Sequence, residues 1–334
     1  MCTCISLDFR LVFCYPVAGP VLGVWPARAM SKTSRKTRQW TCVGWQGIQF
    51  SILNDWHLAR VQGDRAKGYL RVDDDDGYMR LELRWVKPVR RPKRFELVAD
   101  GMIAQLDKFS RKKRASFTMR CGVRLASPPG KEYECFETKG DGVSYGCLMR
   151  CRTCGRTILV RVLGPAKEDL KTLARKVFET LTDHPGEDGL DYWDVYDLKF
   201  ALPSRYALQG TTLRTGALEM RFSDRKTELE VRRISLAGIV LKDRSLKSLV
   251  MEICHKELRP FDVRVAEMDV HGHDGLGITG PMTFRARMLS NTGRKRYFHA
   301  YAWVCDDRIY VFRMTSKESE DPLFFELAGR VQCH

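Results

Sequence analysis

Short runs of the chain alternate apolar and polar residues, the two-residue period of strands with one buried face. Ile48, Phe50, Ile52, Trp56 and Leu58 follow this pattern, and they align without gaps to Leu198, Phe200, Leu202, Tyr206 and Leu208. Gly68–Val72 then matches Gly216–Met220, and Leu81–Arg84 matches Leu229–Arg232, in the same order and at similar spacing. Three ordered matches point to an internal duplication. In each half the pattern next changes to a helical period. Phe95, Val98, Met102, Leu106 and Phe109 predict a helix over 95–112, and Leu246, Leu249, Val250 and Ile253 predict its counterpart over 245–257.

Alternation then predicts strands near 115–124, 131–139, 143–151 and 156–163 in the first half. In the second half they fall near 262–270, 281–289, 297–305 and 308–315. Each half closes on a helix, 166–182 after Gly164 and Pro165, and 322–332. The expected fold class is therefore α+β: two tandem similar domains, each a mostly antiparallel β-sheet packed with helices. The domains span 46–182 and 192–334, joined by a turn-rich linker over 183–191. Residues 1–45 are expected to form a non-core extension. Leu11–Trp25 is apolar but contains Pro16 and Pro20, and it is too short for a transmembrane segment. Ala27–Ala29 has the form of a signal-peptide cleavage site, although Asp8 and a single Arg10 suit that reading poorly. A start at Met30, followed by the basic stretch to Arg38, is the preferred expectation.

The order of elements in each half is a strand, a turn ending in an aromatic residue, a hairpin, a helix, antiparallel strands and a terminal helix. It is clearest from Phe200 to Pro203 and from Phe298 to Phe312. This resembles the PsbP-like superfamily, which includes the photosystem II extrinsic subunit and the eukaryotic Ran-release factor. The first half departs from the pattern, having Leu53 where the turn proline would stand. The resemblance implies a compact sandwich of sheet and helices used mainly to bind proteins. It implies no catalytic centre, so no site residues carry over.

Charge changes the picture more than composition does. The chain has 57 Lys and Arg against 41 Asp and Glu, a formal +16, which attracts polyanions. The expected polyanion-binding residues are Lys87, Arg90, Arg91, Lys93 and Arg94, with Lys108, Arg111, Lys112, Lys113 and Arg114 at the other end of the 95–112 helix. The partner is expected to be an acidic protein or a nucleic acid. Aromatic residues are not interleaved with these clusters, which argues against a stacking platform for single strands. Twelve cysteines with no framework spacing point to reduced thiols and a cytoplasmic location.

Among the cysteines, Cys147, Cys151 and Cys154 stand out. A Cys-x-x-Cys-Gly turn at a hairpin tip can aim two thiolates at one zinc ion, with Cys147 as a third ligand and Cys135 or Cys121 as a fourth. The matching turn at Cys305–Arg308 lacks the pair. His271, His273 and Asp274 are read as residues of a glycine-rich loop, His299 as a satisfied strand histidine, and Asp73–Asp76 as a solvated turn. The sequence contains no phosphate loop, nucleophile elbow or His-Glu-x-x-His motif. The reading is a non-catalytic binding or scaffold protein with a basic face. A zinc protein or enzyme using the Cys147–Cys154 cluster is the alternative.

Overall fold

A computed structural model describes residues 39–87, 94–97, 99–101, 118–140, 142–214, 216–224, 227–289 and 296–333. The chain divides into two units, Met1–His184 and Pro185–His334. The first opens with a hairpin of β1 (Trp40–Trp45) and β2 (Ile48–Leu53). There follow β3 (Trp56–Gly63), β4 (Lys67–Asp74), β5 (Met79–Val86), β6 (Thr118–Cys121), β7 (Lys131–Lys139), β8 (Val143–Cys151) and β9 (Thr157–Gly164). These seven strands form one antiparallel sheet in the order β3-β4-β5-β9-β8-β7-β6.

The second unit begins with the hairpin of β10 (Leu190–Val195) and β11 (Leu198–Pro203). Its sheet contains β12 (Ala207–Arg214), β13 (Ala217–Ser223), β14 (Glu228–Ser235), β15 (Arg264–Val270), β16 (His273–Pro281), β17 (Tyr297–Cys305) and β18 (Arg308–Ser316). The order β12-β13-β14-β18-β17-β16-β15 repeats that of the first sheet. The repeat extends to irregularities. The ladder shifts register at Leu58/Arg60 in one unit and at Leu208/Gly210 in the other, a β-bulge kept in both copies. Both opening hairpins turn on two residues with positive φ, Gln46-Gly47 and Tyr196-Asp197, whose twist matches that of the strands they join.

The expectation of a helix-packed α+β fold is corrected: the protein is largely antiparallel β. Among the described residues the longest helix, Leu170–Thr180, has 11 residues, and others are as short as four. Leu170, Leu173, Ala174, Val177 and Phe178 of that helix are buried as one stripe. Asp169 caps it by accepting a hydrogen bond from the Thr172 amide at 3.3 Å. In the second unit Leu249 and Val250 of the helix Leu246–Ile253 pack on Leu276, Ile278, Phe298 and Ala300 of the sheet. Burial of such side chains contributes about 1.5–3 kcal/mol each.

Two boundaries also move. Residues 40–45 belong to the core, since β1 pairs with β2 and Trp45 is buried. The strand expected over 281–289 is instead a short helix, Phe284–Leu289, and the strand lies at β16. β16 holds Gly275, Gly277 and Gly280, residues that weaken strand propensity. Here they are required by close approach: a Cβ on Gly280 would stand 2.0 Å from the Asp262 carbonyl oxygen, and one on Gly275 2.7 Å from that of Ala302. Residues 95–97 and 99–101 are helical, with Phe95 and Ala99 buried against Phe136, Leu148 and Leu159. The rest of the helix expected over 95–112 lies outside the described residues. Among the described residues, no helix is long and apolar enough to cross a membrane.

Candidate functional site

The cysteine cluster sits where β7, β8 and the segment after the last helix of the first unit meet. The antiparallel register sets Lys131 opposite Cys151. The β8–β9 turn folds back so that the Cys154 amide lies 3.5 Å from the Cys151 sulfur. Cys154 Sγ donates to Asp183 Oδ2 at 3.0 Å, and Lys131 Nζ meets Asp183 Oδ1 at 2.9 Å. Arg156 donates to the Asp183 carbonyl at 2.8 Å and to that of Gln46 at 3.2 Å, tying the corner to the opening hairpin. Ligand atoms of Cys151, Asp183 and His184 lie within 4.8 Å of one another.

Electrostatics follow from this geometry. Burial acts to raise the Asp183 carboxyl, but hydrogen bonds from Lys131 and Cys154 outweigh it and hold the group below its ordinary value. Burial and the neighbouring Asp183 push the Cys154 thiol up to about 12. Cys147 does not join the corner. Its sulfur lies 3.2 Å from that of Cys135, directly across the ladder, and burial pushes its thiol well up. Cys121 is exposed at the sheet edge.

The second unit carries the equivalent corner. His273 begins β16 as Lys131 begins β7, and Cys305 ends β17 as Cys151 ends β8. The bridges Gln49↔Thr182 and Lys199↔Gln332 set Cys333 at the position of Asp183. The Cys333 sulfur is 3.4 Å from His273 Nε2, and the ligand atoms of His273, Cys305 and Cys333 lie within 4.8 Å of one another. Burial and Cys333 push the Cys305 thiol up to about 12. His271 occupies the β15–β16 turn with φ 57°, and its ring meets Trp303 edge-on. His299 is buried and engaged, with Thr279 Oγ1 at 3.3 Å and the Glu318 carbonyl at 3.0 Å.

Of the expected polyanion-binding residues, Lys87 and Arg94 are described and exposed. Arg90, Arg91, Lys93, Lys108, Arg111, Lys112, Lys113 and Arg114 lie outside the described residues.

No family model and no curated protein matches the chain. Its fold is weakly similar to solved structures. Cyanobacterial PsbP from Synechocystis sp. PCC 6803 is 15% identical, with a TM-score of 0.32, over 45% of this chain and 95% of its own. The immunity protein TplEi of the Pseudomonas aeruginosa T6SS, solved with a peptide, is 10% identical, with a TM-score of 0.29, over 90% of this chain and 99% of its own. The protein of unknown function PA94 from P. aeruginosa is 12% identical, with a TM-score of 0.22, over 41% of this chain and 86% of its own. Scores this low carry no functional argument.

The sequence pointed to Cys151 and Cys154 but not to their partners. Asp183 reads as the start of a linker, and Lys131 as one basic residue among many. Cys333 and His273 are 60 residues apart. Aligning the ends of the two halves, Thr182-Asp183-His184 against Gln332-Cys333-His334, is the signal that finds them.

Proposed function

We propose that the chain is a non-catalytic binding protein whose first unit takes a polyanionic partner, a nucleic acid or an acidic protein. The observation that carries this reading is the division of charge between the units. Up to His184 the sequence has 34 Lys and Arg against 19 Asp and Glu, a formal +15, whereas beyond it 23 stand against 22. Two copies of one fold have kept their strand order while nearly all of the net charge gathered on one of them. Exposed Lys87 and Arg94 bracket three more basic residues, Arg90, Arg91 and Lys93. A field of one sign attracts polyanions and speeds their encounter. A cytoplasmic location is part of the proposal and rests on cysteines without framework spacing.

The test is a binding titration of the full chain with labelled duplex DNA, single-stranded RNA and an acidic peptide across a salt series. Binding should weaken steeply with salt, since phosphate contacts release counterions. Replacing Arg91, Lys93, Arg111 and Lys113 by Glu should abolish it and leave the fold intact, while single neutral replacements each lower the salt slope by about one. No binding to any of the probes at low salt, or equal binding by the fourfold variant, overturns the proposal.

A further inference from the structure

The equivalent corners of the two units are built from different chemistry. In the first, Lys131 and Asp183 form a buried ion pair, both under a tenth exposed. That corner holds its own cation, and an ammonium 2.9 Å from the carboxylate repels a second one. In the second unit His273 stands in the place of the ammonium and Cys333 in the place of the carboxylate, with Cys305 matching Cys151. The corner has lost its internal cation and gained a thiol and an imidazole.

We propose that His273, Cys305 and Cys333 form a binding site for a borderline-soft divalent cation of the zinc type. Around a tetrahedral zinc ion, with Zn–S near 2.3 Å and Zn–N near 2.0–2.1 Å, neighbouring ligand atoms lie about 3.5–3.8 Å apart. The His273 Nε2 to Cys333 Sγ distance is already 3.4 Å, and all three ligand atoms lie within 4.8 Å. The closure required is therefore about an ångström, within side-chain rotation.

Ordinary packing explains the trio less well. Cysteine is a common core residue, but both repeats place polar, ionisable groups at this corner, so it is not an apolar position of the fold. Of the three, His273 lines a cavity of about 930 Å³ together with Glu267, Met268 and Asp274, while Cys305 and Cys333 lie buried behind it. On binding, the two thiol protons leave to solvent and both sulfurs coordinate as thiolates, with neutral imidazole as third ligand and the fourth position available to water. Two thiolates cancel the charge of a divalent ion, which suits a corner where Cys305 and Cys333 are both buried.

The experiment is an anaerobic titration of the reduced full chain with cobalt(II), then zinc(II). It is run in a background with Cys151→Ser and Cys154→Ser, so that the two thiols of the first unit's equivalent corner are silent. One equivalent of cobalt should give thiolate-to-metal charge transfer and the intense visible bands of a tetrahedral ion, and zinc should displace it. Cys333→Ser and His273→Asn should each weaken binding by at least about 100-fold, the upper end of what loss of even an outer-shell partner costs. Cys333→Ala serves in place of the serine variant if that one misfolds by circular dichroism. Charge-transfer bands absent from the background protein, a titration unchanged by these variants, or a Cys305–Cys333 disulfide persisting under reductant overturns the site. Polyanion binding is read on the other unit by a different assay, so the two proposals fail separately.

Discussion

The same cross-strand pair stands at the same register in both sheets, in different company. In the first unit Glu82 faces Arg161 at 2.9 Å, with Arg84 3.8 Å away and stacked 5.1 Å over the Tyr69 ring. In the second, Glu230 faces Arg313 at 2.5 Å and also holds Arg232. There Arg313 reaches Glu257 at 3.2 Å and Arg232 reaches Glu219 at 3.3 Å. Two arginines meet one glutamate in the first unit, and three glutamates in the second. The pair itself is retained, and a slip of one residue would turn its charges onto the opposite face of the sheet. Across the ladder, the position that carries Glu219 opposite Arg232 in the second unit carries Tyr69 opposite Arg84 in the first.

The largest effect that can break this comparison is removal of the shared carboxylate. Glu230→Ala leaves Arg232 and Arg313 largely buried without their common partner and should destabilise the second unit by about 3–5 kcal/mol. Glu82→Ala, less completely buried, should cost the first unit about 1–2 kcal/mol. Urea denaturation of the full chain, followed by tryptophan fluorescence, reads both; equal losses would show that the surroundings do not matter.

Next comes the corner carboxylate. Asp183→Asn should cost about 1–3 kcal/mol, the penalty for a buried group left poorly satisfied. Because Asp183 is held below its ordinary value, its contribution is complete above about pH 4 and is lost as pH falls through the depressed value of the folded state. Denaturation at a series of acid pH values should show this limb in the wild type and a flatter one in Asp183→Asn.

A packing swap should be comparable or smaller. Gly146 lies opposite Phe136, whose ring would stand 2.1 Å from an added Cβ, whereas the second unit pairs Ala300 with Ile278 at that register. Gly146→Ala should cost about 1–3 kcal/mol through overpacking. Adding Phe136→Ile should recover part of that loss, a non-additive cycle measurable by thermal unfolding. The smallest effect belongs to the surface: Lys87→Glu with Arg94→Glu should change stability by no more than about 0.5 kcal/mol while weakening any polyanion binding.

Much of this β architecture was legible because alternation survives in strands such as β5, β8 and β17, where one face is fully apolar. It failed where glycine replaces that alternation, as in β16, because the reason for those glycines is a neighbouring backbone rather than anything local. Register was also beyond reach at one point. Matching Gly68–Val72 to Gly216–Met220 puts Arg71 with Glu219, but the ladders set Arg71 opposite Glu82 and Arg221 opposite Glu230, two residues along. The bulged strands give no local signal of that shift. At the candidate corners the thiols were visible in sequence and their partners were not, since Lys131, Asp183, His273 and Cys333 meet only through sheet closure.

That closure also sets an order of events. Thr182 exchanges backbone hydrogen bonds with Gln49 at 3.0 and 2.8 Å, and Gln332 donates to Lys199 at 2.8 Å, so the last segment of each unit clasps its first hairpin. A ribosome must therefore deliver a whole unit before that unit can fasten, and such long-range pairings form slowly. Once Thr182 has emerged, the first unit has every strand of its sheet and its clasp in hand. The second half of the message can still be in translation while the first is already locked.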